Sequence, residues 1–85
     1  MLIRFKPSFV RDLKKLSSDI REEALEKMDL FKDLTNHQKL KVHKLQGKLK
    51  NRYSFSVTYS HRIVFSYENK DTVIFTAIGT HDIYK

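Results

Sequence analysis

The stretch NRYSFSVTYSHRIVFSYENKDTVIFTAI, residues 51–78, decides the fold. Its first part alternates apolar and small polar side chains over residues 53–59, which predicts a half-buried strand. Two further runs rich in β-branched and aromatic residues follow at 63–67 and 72–78, separated by short polar turns at 60–61 and 68–71. Three consecutive strands joined by short turns predict an antiparallel meander.

The residues before this stretch predict two helices and one more strand. Residues 1–5 form a short strand bounded by Pro7, which suits the first turn of a helix. Asp19 and Glu22 have the spacing of a capping box, so a second helix is expected to open there. Apolar side chains recur every three or four residues, as on one buried helical face; they are Phe9, Leu13, Leu16 and Ile20, then Ala24 or Leu25, Met28, Phe31 and Leu34.

The predicted order is therefore β-α-α-β-β-β. We expect one α+β domain over residues 1–85, in which a helical hairpin packs on one face of a small, mostly antiparallel sheet. Residues 36–52, between the helices and the meander, are predicted to form a basic loop whose first residues could be helical.

The composition excludes several classes of protein and site. The chain has no cysteine, so neither disulfides nor thiolate metal sites can supplement its core. Two glycines and one proline argue against a linker-rich chain. The apolar stretch at residues 1–5 is too short for a signal peptide or a membrane span, which favours a cytoplasmic protein without a membrane partner.

The net charge of +7 is concentrated in the middle of the chain. Residues 36–62 hold three of the four histidines and no Asp or Glu. Their basic residues are Lys39, Lys41, Lys44, Lys48, Lys50, Arg52 and Arg62. Such segregation favours contact with a nucleic acid, although the same residues could form a solvated face that keeps a small domain soluble.

Arg62 and two histidines are the leading candidates for chemistry. Arg62 stands at the predicted start of the middle meander strand, where it could clamp a phosphate or form an ion pair with an acid such as Glu68. His43 lies in the basic segment, either as a proton-transfer group or as an exposed loop residue. His81 follows the predicted end of the third meander strand, where side chains are held rigidly enough for catalysis.

Other residues with reactive or aromatic side chains have weaker claims. We expect His37 to be exposed and His61 to lie in a turn. The four histidines lack the spacing of a metal-binding motif, so no metal site is predicted. Tyr84 could stack on a base, donate a hydrogen bond or cover the core.

Four features together resemble one protein family. They are the predicted element order, the stretch KLQGKLKNRYSFSV at 44–57, the strand HRIVF at 61–65 and the ending IGTHDIY at 78–84. In this order and spacing they look like the RelE/ParE toxin superfamily. The ending and the stretch VHKLQG at 42–47 look most like the RelE/StbE and YafQ branch of type II toxin–antitoxin systems. The resemblance covers essentially the whole chain and implies a RelE-like fold.

The resemblance also implies an activity and partners. Proteins of this branch are small basic toxins that enter the ribosomal A site and cut mRNA by attack of a 2′-hydroxyl on the adjacent phosphate, without metal or cofactor. The partners implied are the ribosome and mRNA and a cognate antitoxin, through which a DNA-bound toxin–antitoxin complex can form.

Site residues follow from the same resemblance. His81 is expected to act as general acid or base, His43 as the complementary proton-transfer group and Arg62 as the group that holds the scissile phosphate. Tyr84 is expected to orient the RNA. The residues expected to contact RNA backbone are Lys41, Lys44, Lys48, Lys50 and Arg52.

Two departures from the family pattern keep alternatives open. Ser56 stands where several relatives carry an arginine, and Ser60 where YafQ-like chains carry a carboxylate. One alternative is a ParE-like toxin, which shares the fold but acts on DNA gyrase and lacks the catalytic histidine arrangement. Another is an inactive module that only binds RNA or an antitoxin.

Overall fold

The structure, a computed structural model, describes residues 1–46 and 51–80. It confirms the predicted α+β architecture, in which a helical pair packs on a mostly antiparallel sheet, and adds one short strand to it. The elements are helices α1 (Pro7–Lys15) and α2 (Ser18–Phe31), a one-turn 3-10 helix (Leu34–Asn36), and strands β1 (Leu2–Phe5), β2 (His43–Lys44), β3 (Arg52–Ser56), β4 (Arg62–Asn69) and β5 (Thr72–Gly79).

The five strands form one sheet in the order β1-β5-β4-β3-β2. Strands β3, β4 and β5 are the predicted antiparallel meander, and β2 continues it antiparallel to β3. Strand β1 pairs in parallel with β5, with Leu2 opposite Thr72 and Phe5 opposite Phe75. Strand β5 therefore lies inside the sheet, between the first strand of the chain and β4.

Side chains alternate between the two faces of the sheet. One face carries the buried rings Phe55, Phe65 and Phe75, which pack against Phe9 of α1 and Phe31 of α2. The residues on the other face, termed the arginine face, include Arg52, Ser54, Ser56 and Arg62.

Phenylalanine rings make up the centre of the core. Phe31 stacks on Phe55 with 4.6 Å between ring centroids and meets the edges of Phe65 and Phe75. Phe9 contacts Phe75 edge-on at 5.5 Å. All five side chains are fully buried, and burying each contributes about 1.5–3 kcal/mol. This cluster holds both helices on one face of the sheet.

The two helices begin differently. Helix α1 begins at Pro7 as predicted, because proline lacks an N–H that would go unpaired in a first turn. Helix α2 follows Ser17, and no side chain caps its first amides, so the predicted capping box of Asp19 and Glu22 is wrong. Asp19 lies in the first turn of α2, where its charge is favourable near the helix N-terminus. Neither helix in residues 1–46 and 51–80 is long and apolar enough to cross a membrane.

Strand β3 is shorter than the strand predicted over residues 53–59 and ends at Ser56. Beyond it, the Thr58 hydroxyl accepts the backbone N–H groups of Ser60 at 3.3 Å and His61 at 3.1 Å. A hydroxyl that binds local amides in this way competes with strand pairing. Tyr59, predicted to be one of the alternating apolar residues of a half-buried strand, is instead 99% exposed. His61 lies at the end of this loop, as expected.

The predicted basic loop is partly built into the sheet. The carbonyl of buried Leu40 accepts the Ser56 amide at 2.9 Å, and β2 then pairs with β3 so that His43 lies opposite Ser54. Between Leu40 and strand β2, Lys41 has a φ of 60°, in the left-handed region that is uncommon outside glycine. The buried Leu40 side chain and its bond to Ser56 hold this part of the basic segment against the sheet, and the neighbouring Lys41 side chain is exposed.

His37 is packed against the core, although it was expected to be exposed. Its ring stacks on Phe31 with 4.4 Å between ring centroids. Its Nε2–H donates to the Phe31 carbonyl oxygen at 2.8 Å. His37 therefore holds the chain that follows α2 against the core.

Candidate functional site

Arg62 opens β4, and its side chain lies on the arginine face between Ser56 of β3 and Gly79 of β5. One guanidinium N–H donates to the Ser56 hydroxyl. A guanidinium has five N–H donors, so Arg62 keeps donors with which to hold a phosphate. The alternative ion pair with Glu68 is not formed, because Glu68 pairs with Arg4 at 3.1 Å.

Arg62 also lines a cleft with a volume of about 340 Å³, termed the basic cleft. Among residues 1–46 and 51–80, none of those that line it is acidic, and three of them are cationic. A concave surface of one sign focuses electrostatic potential and attracts the opposite charge. The lining residues are Lys39, Lys41, Ser56, Thr58, Tyr59 and Arg62. The cleft is therefore suited to phosphate groups.

His43 lies on the same sheet face, opposite Ser54. Its Nδ1 is 2.9 Å from the Lys41 carbonyl oxygen. Because a carbonyl can only accept, Nδ1–H donates to it, so in the neutral ring Nε2, which is 3.5 Å from the Ser54 hydroxyl, is the nitrogen that can accept a proton. This orientation suits a general base.

His43 and Arg62 flank β3 from its two sides. Their partners Ser54 and Ser56 are two residues apart on β3, which is about 7 Å of strand. With the usual spacing between strands, the two Cα atoms are on the order of 12 Å apart. A long guanidinium and an imidazole can span that distance to meet at one phosphodiester.

A second guanidinium crosses the arginine face. Arg52 opens β3, and its Nη1 lies 3.5 Å from the Thr76 hydroxyl on β5. That hydroxyl donates to the Val64 carbonyl at 3.1 Å, which fixes it in place. The surface thus combines two guanidinium groups with an imidazole. Within residues 1–46 and 51–80, no three His, Asp or Glu side chains are grouped as metal ligands.

Residues 3–83 match the family described as ParE toxin of type II toxin-antitoxin system, parDE. The chain belongs to this toxin family. Among curated protein sequences, none matches the toxin.

The toxin is also similar to solved structures. It is 28% identical to a chain of the RelB–RelE antitoxin–toxin complex from Methanococcus jannaschii, with 95% of this chain and 94% of that chain covered and a TM-score of 0.70. It is 17% identical to YafQ from E. coli strain BL21(DE3), with 96% of this chain and 94% of YafQ covered and a TM-score of 0.71. It is 20% identical to a chain of the YoeB–YefM complex from Staphylococcus aureus, with 95% of this chain and 98% of that chain covered and a TM-score of 0.73. These similarities confirm the predicted RelE-like fold.

The structure of the toxin brings four predicted site residues together. Arg62, His43 and Arg52 lie on the arginine face, and Lys41 lines the adjoining basic cleft. Lys44 alternates with His43 on β2, so its side chain belongs to the other face. The other predicted residues lie outside the described residues; they are His81, Tyr84, Lys48 and Lys50.

Sequence reasoning missed four cleft residues of the toxin, which are Lys39, Ser56, Thr58 and Tyr59. No sequence pattern predicts that Lys39 lies beside the cleft, because its position depends on the burial of the adjacent Leu40. Tyr59 continues the alternation of the preceding strand, and only the small hydroxyl residues on either side of it signal a turn. Ser56 is a small polar residue of β3, and its hydroxyl accepts a hydrogen bond from Arg62.

Proposed function

We propose that this toxin is an endoribonuclease that cleaves translated mRNA at the ribosome and so inhibits translation. The observation that supports the proposal best is the arrangement of His43 and Arg62 on one sheet face, beside a cleft that Lys39, Lys41 and Arg62 make basic. RNA cleavage by the neighbouring 2′-hydroxyl needs a base, an acid and a cation at the phosphate, and this surface offers the first and the last.

In the proposed reaction the 2′-hydroxyl attacks the adjacent phosphorus, and the bond from phosphorus to the 5′-oxygen of the next nucleotide breaks. Nε2 of His43 takes the proton of the 2′-hydroxyl, while His81 gives a proton to the leaving 5′-oxygen. Arg62 stabilises the negative charge that builds on the phosphorane oxygens. The products are a 2′,3′-cyclic phosphate and a 5′-hydroxyl. These steps use side chains alone, so we propose a metal-independent enzyme.

The assignment of His81 rests on its place in the sequence. It follows Gly79 by two residues, and Gly79 is the partner of Arg62 on β5. Tyr84 is proposed to orient the RNA. The proposed contacts with RNA backbone, of mRNA or of ribosomal RNA, are Lys41, Lys44, Lys48, Lys50 and Arg52, of which Lys44 projects from the face opposite the arginine face.

The test is to induce the toxin in cells and map new 5′-hydroxyl ends in mRNA. We expect such ends inside translated regions with the natural chain, and their loss with Arg62→Ala and with the double variant His43→Ala, His81→Ala. Each positioned proton-transfer group typically supplies about 10²–10⁴-fold in rate. Glu68→Gln is the matched control, because Glu68 is paired with Arg4 away from the cleft. Growth arrest with mRNA cleavage that persists in the folded double variant would contradict the proposal.

We also propose a cognate antitoxin as partner. The similar structures named above include complexes with RelB and with YefM. The basic cleft suits acidic antitoxin residues, and the exposed Leu2, Phe5 and Leu25 suit apolar ones. Through its antitoxin the toxin would join a DNA-bound complex. A toxin–antitoxin structure in which the cleft is wholly uncovered would count against acidic coverage.

A second candidate function is that of a ParE-like toxin that acts on DNA gyrase, favoured by the name of the family that residues 3–83 match. It predicts inhibited supercoiling and intact mRNA after induction. The same mapping of 5′-hydroxyl ends therefore separates the two functions.

A further inference from the structure

Among the large hydrophobic residues that the structure describes, Tyr59 is the most exposed, with 99% of its surface accessible. A single exposed aromatic residue is common on protein surfaces and has no meaning by itself. Tyr59 differs because it lines the basic cleft together with Arg62 and Lys41. An aromatic ring and cations thus share one concave surface.

The loop that carries Tyr59 is held by hydrogen bonds on both sides of it. The Val57 amide donates to the His61 carbonyl at 2.9 Å and closes the loop. Inside it, the Thr58 hydroxyl accepts two backbone amides, and the hydroxyls of Thr58 and Ser60 each lie 3.1 Å from Nδ1 of His61. Such a network presents the ring at little cost in backbone entropy, because the loop is already ordered before a ligand arrives.

Cations beside an exposed ring are the features by which proteins recognise single-stranded RNA. Cations bind the phosphates, and unpaired bases stack on aromatic side chains. We propose that Tyr59 stacks on an unpaired base next to the phosphate that Arg62 holds, an inference that rests on the proposed function. Tyr59 is then a binding residue that places the RNA backbone against Arg62 and His43.

The ring also gives the cleft a base preference. Stacking tolerates every base because each has a π-face, but the larger purine faces offer more contact. We therefore expect a purine to be enriched at one fixed position beside the cleavage point. An acidic peptide would use the cations of the same cleft but would not need a flat ring.

The absence of tryptophan from the chain provides a direct test. Tyr59→Trp places a single indole in the cleft, and its emission is quenched when a base stacks on it. The variant is titrated at low salt with a short single-stranded RNA, and with copies of that RNA in which each position in turn lacks its base. We expect quenching by the intact RNA and its loss for one abasic position, while the anisotropy of the labelled RNA still reports binding through phosphates.

Tyr67→Trp is the matched control. Tyr67 is a partly exposed tyrosine on β4, the strand that Arg62 opens, and its ring meets Tyr53 edge-on. We expect no quenching there. Absence of RNA binding, binding without quenching at position 59, or quenching that no abasic position removes would each overturn the inference. A response to an acidic peptide but not to RNA would overturn it as well.

Activity in cells separates this inference from the proposed function. Stacking of one base corresponds to about tenfold in affinity, so Tyr59→Ala should cleave mRNA about tenfold less at limiting toxin, while Tyr59→Phe retains cleavage. Loss of the purine preference should accompany the loss of the ring. If the natural toxin cuts no mRNA, the proposed function fails, and the titration still decides whether Tyr59 stacks. If the natural toxin cuts and Tyr59→Ala cuts equally with the same base preference, the stacking role alone fails.

Discussion

The guanidinium of Arg62 donates a hydrogen bond to the hydroxyl of Ser56, its partner on the neighbouring strand β3. Both residues line the basic cleft, so the bond lies within its wall. Glu68, the acid nearest to it in sequence on β4, is engaged with Arg4 instead. Ser56 is therefore expected to position the side chain that holds the phosphate.

Replacement of Ser56 tests this positioning. Ser56→Ala is expected to lower mRNA cleavage on translating ribosomes about tenfold, equivalent to about 1.4 kcal/mol in the transition state. Ser56→Thr, which keeps a hydroxyl, should recover much of the activity. Glu68→Gln should cleave like the natural chain. If Ser56→Ala is fully active while Arg62→Ala is inactive, the hydroxyl does not position the arginine.

Replacement of His43 is expected to lower activity and leave stability almost unchanged, whereas replacement of His37 is expected to lower stability. His43 is exposed, so His43→Ala should change the free energy of unfolding by less than about 0.5 kcal/mol but lower cleavage about 10²–10⁴-fold. His37 stacks on Phe31 and bonds its carbonyl, so His37→Ala should lower the free energy of unfolding by about 1–2 kcal/mol. Urea unfolding and cleavage per folded molecule measure the two effects. The reverse pattern would mean that His43 is structural.

Phe31 is expected to be the most sensitive core position because it contacts rings from three strands. Phe31→Ala should destabilise the toxin by about 3–5 kcal/mol, a large part of the 5–15 kcal/mol typical of a folded domain. Leu34→Ala, at an exposed apolar residue three positions later, should have almost no effect. Urea unfolding measures both variants. A loss below about 1 kcal/mol for Phe31→Ala would contradict the central place of this ring.

Asp33 is expected to make the stability of the toxin depend on pH in acid. The backbone N–H of Thr35, and then its hydroxyl, hydrogen-bond the carboxylate and lower the pKa of Asp33 in the folded state. A lowered pKa means that the stabilisation is complete above the unfolded value of about 3.9 and is lost as pH falls through the folded value.

Asp33→Ala isolates this contribution. The urea midpoints of the variant and the natural chain should differ at about pH 6 and converge as pH falls below about 4. A difference that stays constant over this range, or widens in acid, would show that the carboxylate charge is not what stabilises the turn.

The central strands and the helices could be predicted from residue pattern, because burial of one face imposes a period of two or of about 3.6. The arginine that opens β4 was located for the same reason. The early end of β3 could not be predicted, since the alternation continues through Tyr59. In the structure the Val57 and Thr58 amides bond the His61 carbonyl, and the Thr58 hydroxyl accepts two amides of the loop. Strand β2 has two residues, too few to carry a period.

The candidate site was less predictable than the fold, because it depends on contacts between distant segments. His43 reaches the arginine face through the pairing of β2 with β3, and Lys39 reaches the cleft because Leu40 is anchored to Ser56. Neither contact leaves a periodic trace in the sequence. The charge pattern identified the basic segment but not which of its residues would meet.

The position of β5 inside the sheet has a consequence for how the toxin is made. Leu2 acquires its sheet partner, Thr72, only after the ribosome has synthesised most of the chain. Until then the helices have an incomplete surface on which to pack, and contacts of such long sequence separation form slowly. We expect a chain cut after residue 70, which lacks the Asp71 carbonyl that accepts the Leu2 amide, to leave the amides of β1 unprotected from hydrogen exchange, and protection there would refute this. A protein proposed to act on translating ribosomes would thus complete its own fold late in translation.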